Sequence, residues 1–262
     1  MIFLKKSLGQ NFLIDKNIIH KIINLTNIYD KNVIEIGPGN GALTDEILKK
    51  KPKSLIVIEK DNNLSNKLEE KYKNIKNIKI YNTDVLSVNL EKITLKNSTI
   101  IGNLPYNISS QIYLKFLRYK NWPPKFDNLI LMFQKELGEK IIGKFSTKDY
   151  GRLSILTNLK FTLIKKFIVS PTCFIPKPKV QSLVIHLRPS EKNKIFKIKK
   201  IENLEKVTNI LFSNKRKMIN KNIKKILNEK KINKIKNLNL KHRPSEISPE
   251  VYYSIASLYE IN

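Results

Sequence analysis

An open α/β domain joined to a small, basic, all-helical domain is the fold class that this 262-residue sequence predicts. Three observations predict it. Short apolar strands alternate with helix-spaced segments up to about residue 188. Glycine, acidic or amide residues stand at or just beyond the ends of four of those strands, at Gly37, Glu59, Asp84 and Asn103. From residue 189 onward no strand signal remains and the spacing is helical throughout. Open α/β sheets bind ligands beyond the carboxyl ends of their strands, so the second observation also locates a site.

Residues 5–13 read as a basic, glycine-containing loop. A helix follows over 15–24, with apolar residues at 18, 19, 22 and 23 and Asp15 as its N-cap. Asn32 to Thr44 is a strand, a glycine loop and the start of a helix. Gly37, Gly39 and Gly41 allow the backbone to approach a ligand beneath that helix N-terminus. The spacing Gly-x-Gly-x-Gly, with Glu35 two positions upstream, is not the dinucleotide fingerprint. The strand Ser54–Glu59 ends in an acid 22 residues beyond Gly37. That is near the separation expected of a carboxylate that grips ribose hydroxyls. A short strand at 78–81 precedes Asp84, which can accept from an adenine amine or can cap a turn.

The strand at 99–101 runs into Gly-Asn-Leu-Pro-Tyr-Asn, which presents an amide (Asn103), a fixed backbone step (Leu104-Pro105) and an aromatic ring (Tyr106). The amine of adenine is a poor nucleophile because its lone pair is conjugated into the ring. Acceptors aimed at both amine hydrogens favour a pyramidal nitrogen. The Asn103 side-chain oxygen and the Leu104 carbonyl are suited to that, with Tyr106 stacked on the base. An ordinary strand ending in a turn is the alternative.

Helices over 109–117 and 135–142 flank a buried-type strand at 128–134. Between them, Trp122-Pro-Pro-Lys125 is a break with the lone tryptophan as a packing anchor. Tyr150 to Ser154 leads into another helix. Strands at 161–168 and 180–187 are joined by a proline-rich loop, 171–179, whose Phe174 is expected to be exposed. It could supply the second face of a base clamp, or the loop could be a plain hairpin connection. These elements set the first domain at 1–188 and the second at 189–262, with helices at 201–212, 216–228, 230–237 and 249–259.

Net charge is +28, and residues 189–262 hold 18 Lys and Arg against 7 Glu, a net of +11. The partner implied is a polyanion, most simply nucleic acid, with Phe212–Lys217 and Lys241–Glu246 as phosphate-contact candidates. Nearly all the positive charge is lysine, as AT-rich coding would also give, so charge supports this reading without proving it. Cys173 is the single cysteine and the three histidines are far apart, so neither a disulfide framework nor a metal site is expected. No apolar run reaches the ~18 residues of a membrane span, and the N-terminus lacks a secretory pattern. A reducing, cytoplasmic location is the expectation.

Together the motifs resemble one family, the small-subunit ribosomal RNA adenine dimethyltransferases (KsgA type). The matching segments are 7–13, Glu35–Thr44, Asn103–Ser109, Phe133–Glu136, Tyr150–Ser154, Phe174–Ser182, Phe212–Lys217 and Arg243–Ser248. They run in family order over nearly the whole chain. Lys140 and Lys215 stand where arginine is expected, which weakens the case for bidentate phosphate contacts there. The resemblance implies a Rossmann-like, seven-stranded class I methyltransferase sheet with one reversed edge strand. It implies transfer of four methyls from S-adenosylmethionine to N6 of two adjacent adenosines near the 3′ end of 16S RNA, within an immature small ribosomal subunit, by a monomer. By motif match, Asn11, Leu13, Gly37, Gly39, Glu59, Asp84 and Asn103 line the cofactor site. Asn103, Leu104, Pro105, Tyr106 and Phe174 hold the target base. The alternatives are an N6-adenine methyltransferase of 23S RNA and a non-catalytic RNA-binding assembly factor. A DNA adenine methyltransferase would need a recognition domain that the sequence does not show.

Overall fold

A computed structural model of the protein describes residues 10–196 and 198–260. Residues 7–9 of the first matching segment lie outside that range. In chain order the elements begin with β1 (Phe12–Leu13), α1 (Lys16–Ile23), β2 (Asn32–Ile36), α2 (Ala42–Lys49), β3 (Ser54–Glu59) and α3 (Asn62–Tyr72). They continue with β4 (Ile78–Asn82), α4 (Leu90–Ile93), β5 (Ser98–Asn103), α5 (Ser109–Leu117), β6 (Phe126–Gln134) and α6 (Lys135–Ile141). Then come α7 (Arg152–Lys160), β7 (Phe161–Val169), β8 (Phe174–Ile175), β9 (Ser182–Pro189) and α8 (Lys192–Phe196). The last are α9 (Ile201–Leu211), α10 (Asn220–Ile223), α11 (Glu229–Ile232) and α12 (Pro249–Tyr259).

Seven strands form one sheet in the order β4-β3-β2-β5-β6-β9-β7. The pairs from β4 to β6 are parallel, and β9 runs antiparallel to β6. Runs such as Leu129–Phe133 are buried along their length because a parallel sheet is covered on both faces. The expected reversed edge strand is corrected here. The reversed strand is β9, and it is internal, between β6 and β7. A short connection without a crossover helix folds β9 back beside β7 and leaves β7 at the edge. Residues 5–13 were expected to be a loop, yet Phe12–Leu13 pair with Phe174–Ile175 in a separate two-stranded ladder. Asp15 caps α1 as expected, accepting from Ile18 N at 3.0 Å.

Contacts along the chain divide it into two compact units. The first comprises residues up to Tyr119, Pro124–Gly138 and Leu163–Pro189; the second comprises Lys120–Pro123, Glu139–Thr162 and Ser190 onward. The last crossing thus falls next to the boundary read from the sequence, but two earlier excursions join the second unit. Helix α7 has buried residues on most of its circumference, including Ser154, Ile155, Leu156, Thr157 and Leu159. Such a helix belongs inside a helical bundle.

In the second unit α9 and α12 match expectation, but 216–228 and 230–237 are not continuous helices. Only the four-residue α10 and α11 form there. Asparagine is the cause. The Asn228 side chain accepts from Lys231 N at 3.0 Å and restarts the helix, and Asn237 adopts the left-handed region at φ 60°. Three buried tyrosines tie the unit together. Tyr252 donates to the Pro244 carbonyl at 2.8 Å, Tyr253 to Ile155 at 3.0 Å, and Tyr150 to Ile247 at 2.8 Å. Trp122 packs edge-on against Phe161, lies 4.2 Å below the Lys160 ammonium and donates to the Ser190 carbonyl at 2.6 Å. It is the packing anchor its isolation in the sequence suggested.

Tyr150→Phe deletes one buried donor and keeps the ring. We expect it to destabilise the second unit by about 1–3 kcal/mol, read as a lower midpoint in urea unfolding followed by circular dichroism.

Candidate active site

The loops after β2 and β5 face each other because the sheet turns at that point. Strands β3 and β4 extend to one side of β2, and β5 starts the other side. A crevice therefore opens at the carboxyl ends. One pocket collects its walls from there, from Asn11, Leu13, Gly37, Gly39, Glu59, Asp84, Asn103, Leu104, Pro105 and Tyr106 among others. Every candidate residue but Phe174 is brought to it.

Gly37 and Gly39 hold φ of 68° and 59°, in the region that favours glycine. A Cβ at Gly39 would stand 2.7 Å from the Phe12 ring, so the loop must be bare there for Phe12 to close over it. Glu59 is 7% exposed. Its Oε1 accepts from Asp61 N at 2.8 Å and its Oε2 from Gly39 N at 3.3 Å. Burial pushes its carboxyl up, and those two amides oppose the shift. Each oxygen keeps lone pairs for a hydroxyl donor. Asp84 has the turn-capping role and also stands in the pocket wall. It closes a turn by accepting from Leu86 N at 2.8 Å, and it lines the pocket, paired with Lys60 at 2.7 Å. The Lys60 hydrogen bond holds its carboxyl below the usual range, so it remains an ionised acceptor.

Asn103 Nδ2 donates to the Asn11 carbonyl at 3.0 Å. The amide is thereby fixed by its nitrogen, and Oδ1 is the end left to accept. Leu104 is buried beside it, 1% exposed. The Tyr106 hydroxyl lies 2.6 Å from Ser182 Oγ at the start of β9, which fixes the ring as a pocket wall. Burial pushes the phenol up, so it stays neutral.

Phe174 requires a correction. It is 2% exposed, not exposed as expected. It pairs with Leu13 across the β1–β8 ladder and belongs to the apolar cluster with Val169 and Val184, not to the pocket walls. An aromatic flanked by prolines read as a surface ring because the strand that covers it is far away in sequence. Phe12, Lys60 and Ser182 are functional neighbours that the sequence did not single out. Each acts through a partner between 24 and 76 residues away.

An open sheet with this switch point, a Gly-x-Gly-x-Gly loop under it and acids after the next two strands defines a Rossmann-like class I methyltransferase. A family model described as ribosomal RNA adenine dimethylase matches residues 2–260. The chain is 44% identical to the ribosomal RNA small subunit methyltransferase A of Pelagibacter ubique, over 98% of this chain and 97% of that one. It is 38% identical to the protein of the same name from a Sulfurihydrogenibium species, over 98% and 96%. Among solved structures, a dimethyladenosine transferase from Plasmodium falciparum has the same fold, with a TM-score of 0.79 at 24% identity over 93% of this chain and 95% of that one. The 23S rRNA methyltransferase ErmE shares it with a TM-score of 0.68 at 23% identity, over 95% and 100%. The chain belongs to the ribosomal RNA adenine dimethylase family, and it is an enzyme of that methyltransferase class. Among the described residues, no helix is long and apolar enough to cross a membrane, and no group of three or more His, Cys, Asp or Glu could hold a metal ion.

Glu35 lies behind the glycine loop with 0% exposure. Its Oε2 accepts from Thr44 Oγ1 at 2.7 Å, and its Oε1 has no partner among the described residues. Burial pushes its carboxyl up to about 8 from 4.5. A raised folded-state pKa gives a contribution that is complete below the ordinary value and is lost as pH rises toward the folded one. Relative to Glu35→Gln, the wild type should therefore lose stability between about pH 4.5 and pH 8, on the order of 4 kcal/mol over the window. Urea unfolding of both proteins at several pH values reads the difference; parallel curves would contradict it.

Proposed function

We propose that the protein uses S-adenosylmethionine to dimethylate N6 of two adjacent adenosines near the 3′ end of 16S RNA in an immature small ribosomal subunit, as a monomer in the cytoplasm. The observation that carries the reading is the Asn103 amide, held by its nitrogen on Asn11 with Oδ1 left to accept, in the pocket that also holds Glu59 and Asp84. The names of the relatives, at 38–44% identity, support the small subunit as the target.

The residues present fit the cofactor. The bare glycine loop admits a ligand close to the backbone, Glu59 suits paired ribose hydroxyls, and Asp84 suits an adenine amine. Asn11 and Leu13 also line the pocket. When bound, the cofactor supplies an already activated methyl on a sulfonium. The protein's part is then alignment more than strong acid or base chemistry. Asn103 Oδ1 and the Leu104 carbonyl accept the two amine hydrogens of the target adenine and favour a pyramidal nitrogen. Pro105 fixes the carbonyl, and Tyr106, anchored on Ser182, stacks on the base. Phe174 would reach the other face of the base only by leaving its apolar cluster.

RNA is held mainly by the second unit. Lys215, Arg216 and Lys217 are exposed, and Ile219 N donates to the His242 carbonyl at 3.0 Å. That bond brings the basic stretch after Phe212 beside the one around Lys241 and Arg243.

Asn103→Ala should slow single-turnover methylation of immature small subunits roughly 10²–10³-fold at saturating cofactor, with RNA binding nearly unchanged. A wild-type rate would make the loop structural only. Run with large subunits and naked 16S RNA alongside, and followed by nucleoside analysis, the same assay tests the target. Methylated 23S RNA would replace the small-subunit reading, and RNA binding without methyl transfer would leave an assembly factor. Neutralising Lys215, Arg216 and Lys217 together should flatten the dependence of log affinity on log salt by roughly 2–3 in slope, with cofactor binding unaffected. An unchanged slope would mean that this charge makes no phosphate contact.

A further inference from the structure

Lys115 stands on α5, outside the pocket. Its Nζ lies 3.1 Å from the Val85 carbonyl, 2.5 Å from that of Leu86 and 2.8 Å from that of Val88. Three carbonyl acceptors around one nitrogen are matched by a group with three donors, and the protonated ammonium has three. These are charge-assisted bonds, stronger than neutral ones. The turn they gather follows β4 and starts at Asp84. Local bonds give the turn its shape: Leu86 N donates to Asp84 Oδ1 at 2.8 Å, and Ser87 N and Oγ donate to the Asp84 carbonyl at 2.9 and 2.7 Å. On the β3 side the turn is tied by Thr83 N, which donates to the Glu59 carbonyl at 2.9 Å, and by Lys60, paired with Asp84 at 2.7 Å. Lys115 ties it to the other side of the crevice, because α5 is itself mounted on the loop that holds Asn103 and Tyr106. Ser109 Oγ, in the first residue of α5, donates to the Tyr106 carbonyl at 3.0 Å, and Ile112 N donates to the Ile108 carbonyl.

We propose that Lys115 is a positioning residue that fixes the Asp84 turn to α5, so that the loop for the cofactor's adenine and the loop for the target base are held by one helix. The assignment rests on the reading of Asp84 as the adenine acceptor given above. The Lys115 ammonium also lies close enough to Asp84 to act on its charge, while burial acts against its own. Without the ammonium, three carbonyls lose their common partner, and the Asp84 turn is held from the β3 side alone, by Lys60 and the Thr83–Glu59 bond. The chemical step, set by Asn103 and Leu104, is not touched directly.

The test measures affinity for S-adenosylhomocysteine by calorimetry and steady-state methylation of immature small subunits, in the full-length protein. Lys115→Met should weaken binding and raise the cofactor KM about tenfold, the effect of losing charge-assisted hydrogen bonds behind a ligand group. At saturating cofactor kcat should stay within a factor of about two, and the KM for the subunit should not move. Lys115→Cys should show the same loss, and alkylation with bromoethylamine, in which the thiolate displaces bromide and rebuilds an ammonium at lysine's chain length with sulfur in place of Cγ, should restore affinity. Wild type treated in the same way is the control for Cys173, which is 8% exposed. The cysteine pair, before and after alkylation at a temperature where both are folded, keeps the comparison open if Lys115→Met unfolds. Unchanged affinity in both variants, or a fall in kcat with KM unchanged, would overturn the Lys115 role and leave the cofactor reading standing. Failure of the alkylated protein to regain affinity would also overturn it. Failure of the wild type to bind S-adenosylhomocysteine would overturn the cofactor reading and this role together.

Discussion

The first unit depends on the parallel pairing of β2 with β5. Ile36 stands opposite Gly102 on one side and opposite Ile58 on the other, so three strands end level with one another. The glycine loop, the carboxylate of Glu59 and the amide of Asn103 then converge without any long excursion of the chain. The pairing is sterically exacting at its last step. A Cβ at Gly102 would come within 3.0 Å of the Ile36 carbonyl and 2.9 Å of Leu104 Cδ2. A Cβ at Gly37 would meet the Asn103 carbonyl at 3.5 Å. The crowding is thus at Gly102; at Gly37 there is room for a Cβ, and it is the left-handed φ of 68° that calls for glycine. In this unit architecture and chemistry are therefore set by the same few atoms.

Much of this was legible one residue at a time. A strand has a period of two and a length of about five, so its end can be counted, and the residue after it can be read for chemistry. Glu59, Asp84 and Asn103 follow from that rule, as do all seven strands of the sheet. What could not be read were contacts between residues distant in sequence. Asn11 meets Asn103 across 92 positions, and Tyr106 meets Ser182 across 76. The burial of Phe174 depends on Leu13 in the same way. Neither end of such a pair carries a signal by itself. The broken helices of the second unit are a different case. Lysine and isoleucine keep helical spacing through 216–237, but asparagine's side chain competes for backbone amides, and spacing alone does not register that competition. The excursions into the second unit failed to show for a third reason: α7 is apolar and polar without a clear face, so its surroundings cannot be inferred from its pattern.

Within a chain of net charge +28, three carboxylates near the crevice are managed in three ways. Glu35 is buried and held toward the neutral form. Glu59 is buried but supplied with backbone amides. Asp84 is left near solvent and paired with Lys60. Each arrangement suits a different partner: a neighbouring hydroxyl, a neutral diol, and an amine hydrogen. One residue type provides all three because its environment, not its identity, sets its charge.

Trp122 is the single tryptophan of the chain, and it lies in the second unit. Its indole N–H is held by the Ser190 carbonyl at 2.6 Å, and the Lys160 ammonium sits 4.2 Å above its ring. Both neighbours alter the energy of an excited indole, and both are lost when the helical unit opens. Intrinsic fluorescence at the red edge of protein absorption is accordingly a record of one half of the molecule. Emission would follow the opening of that helical half, and the other half has no tryptophan of its own.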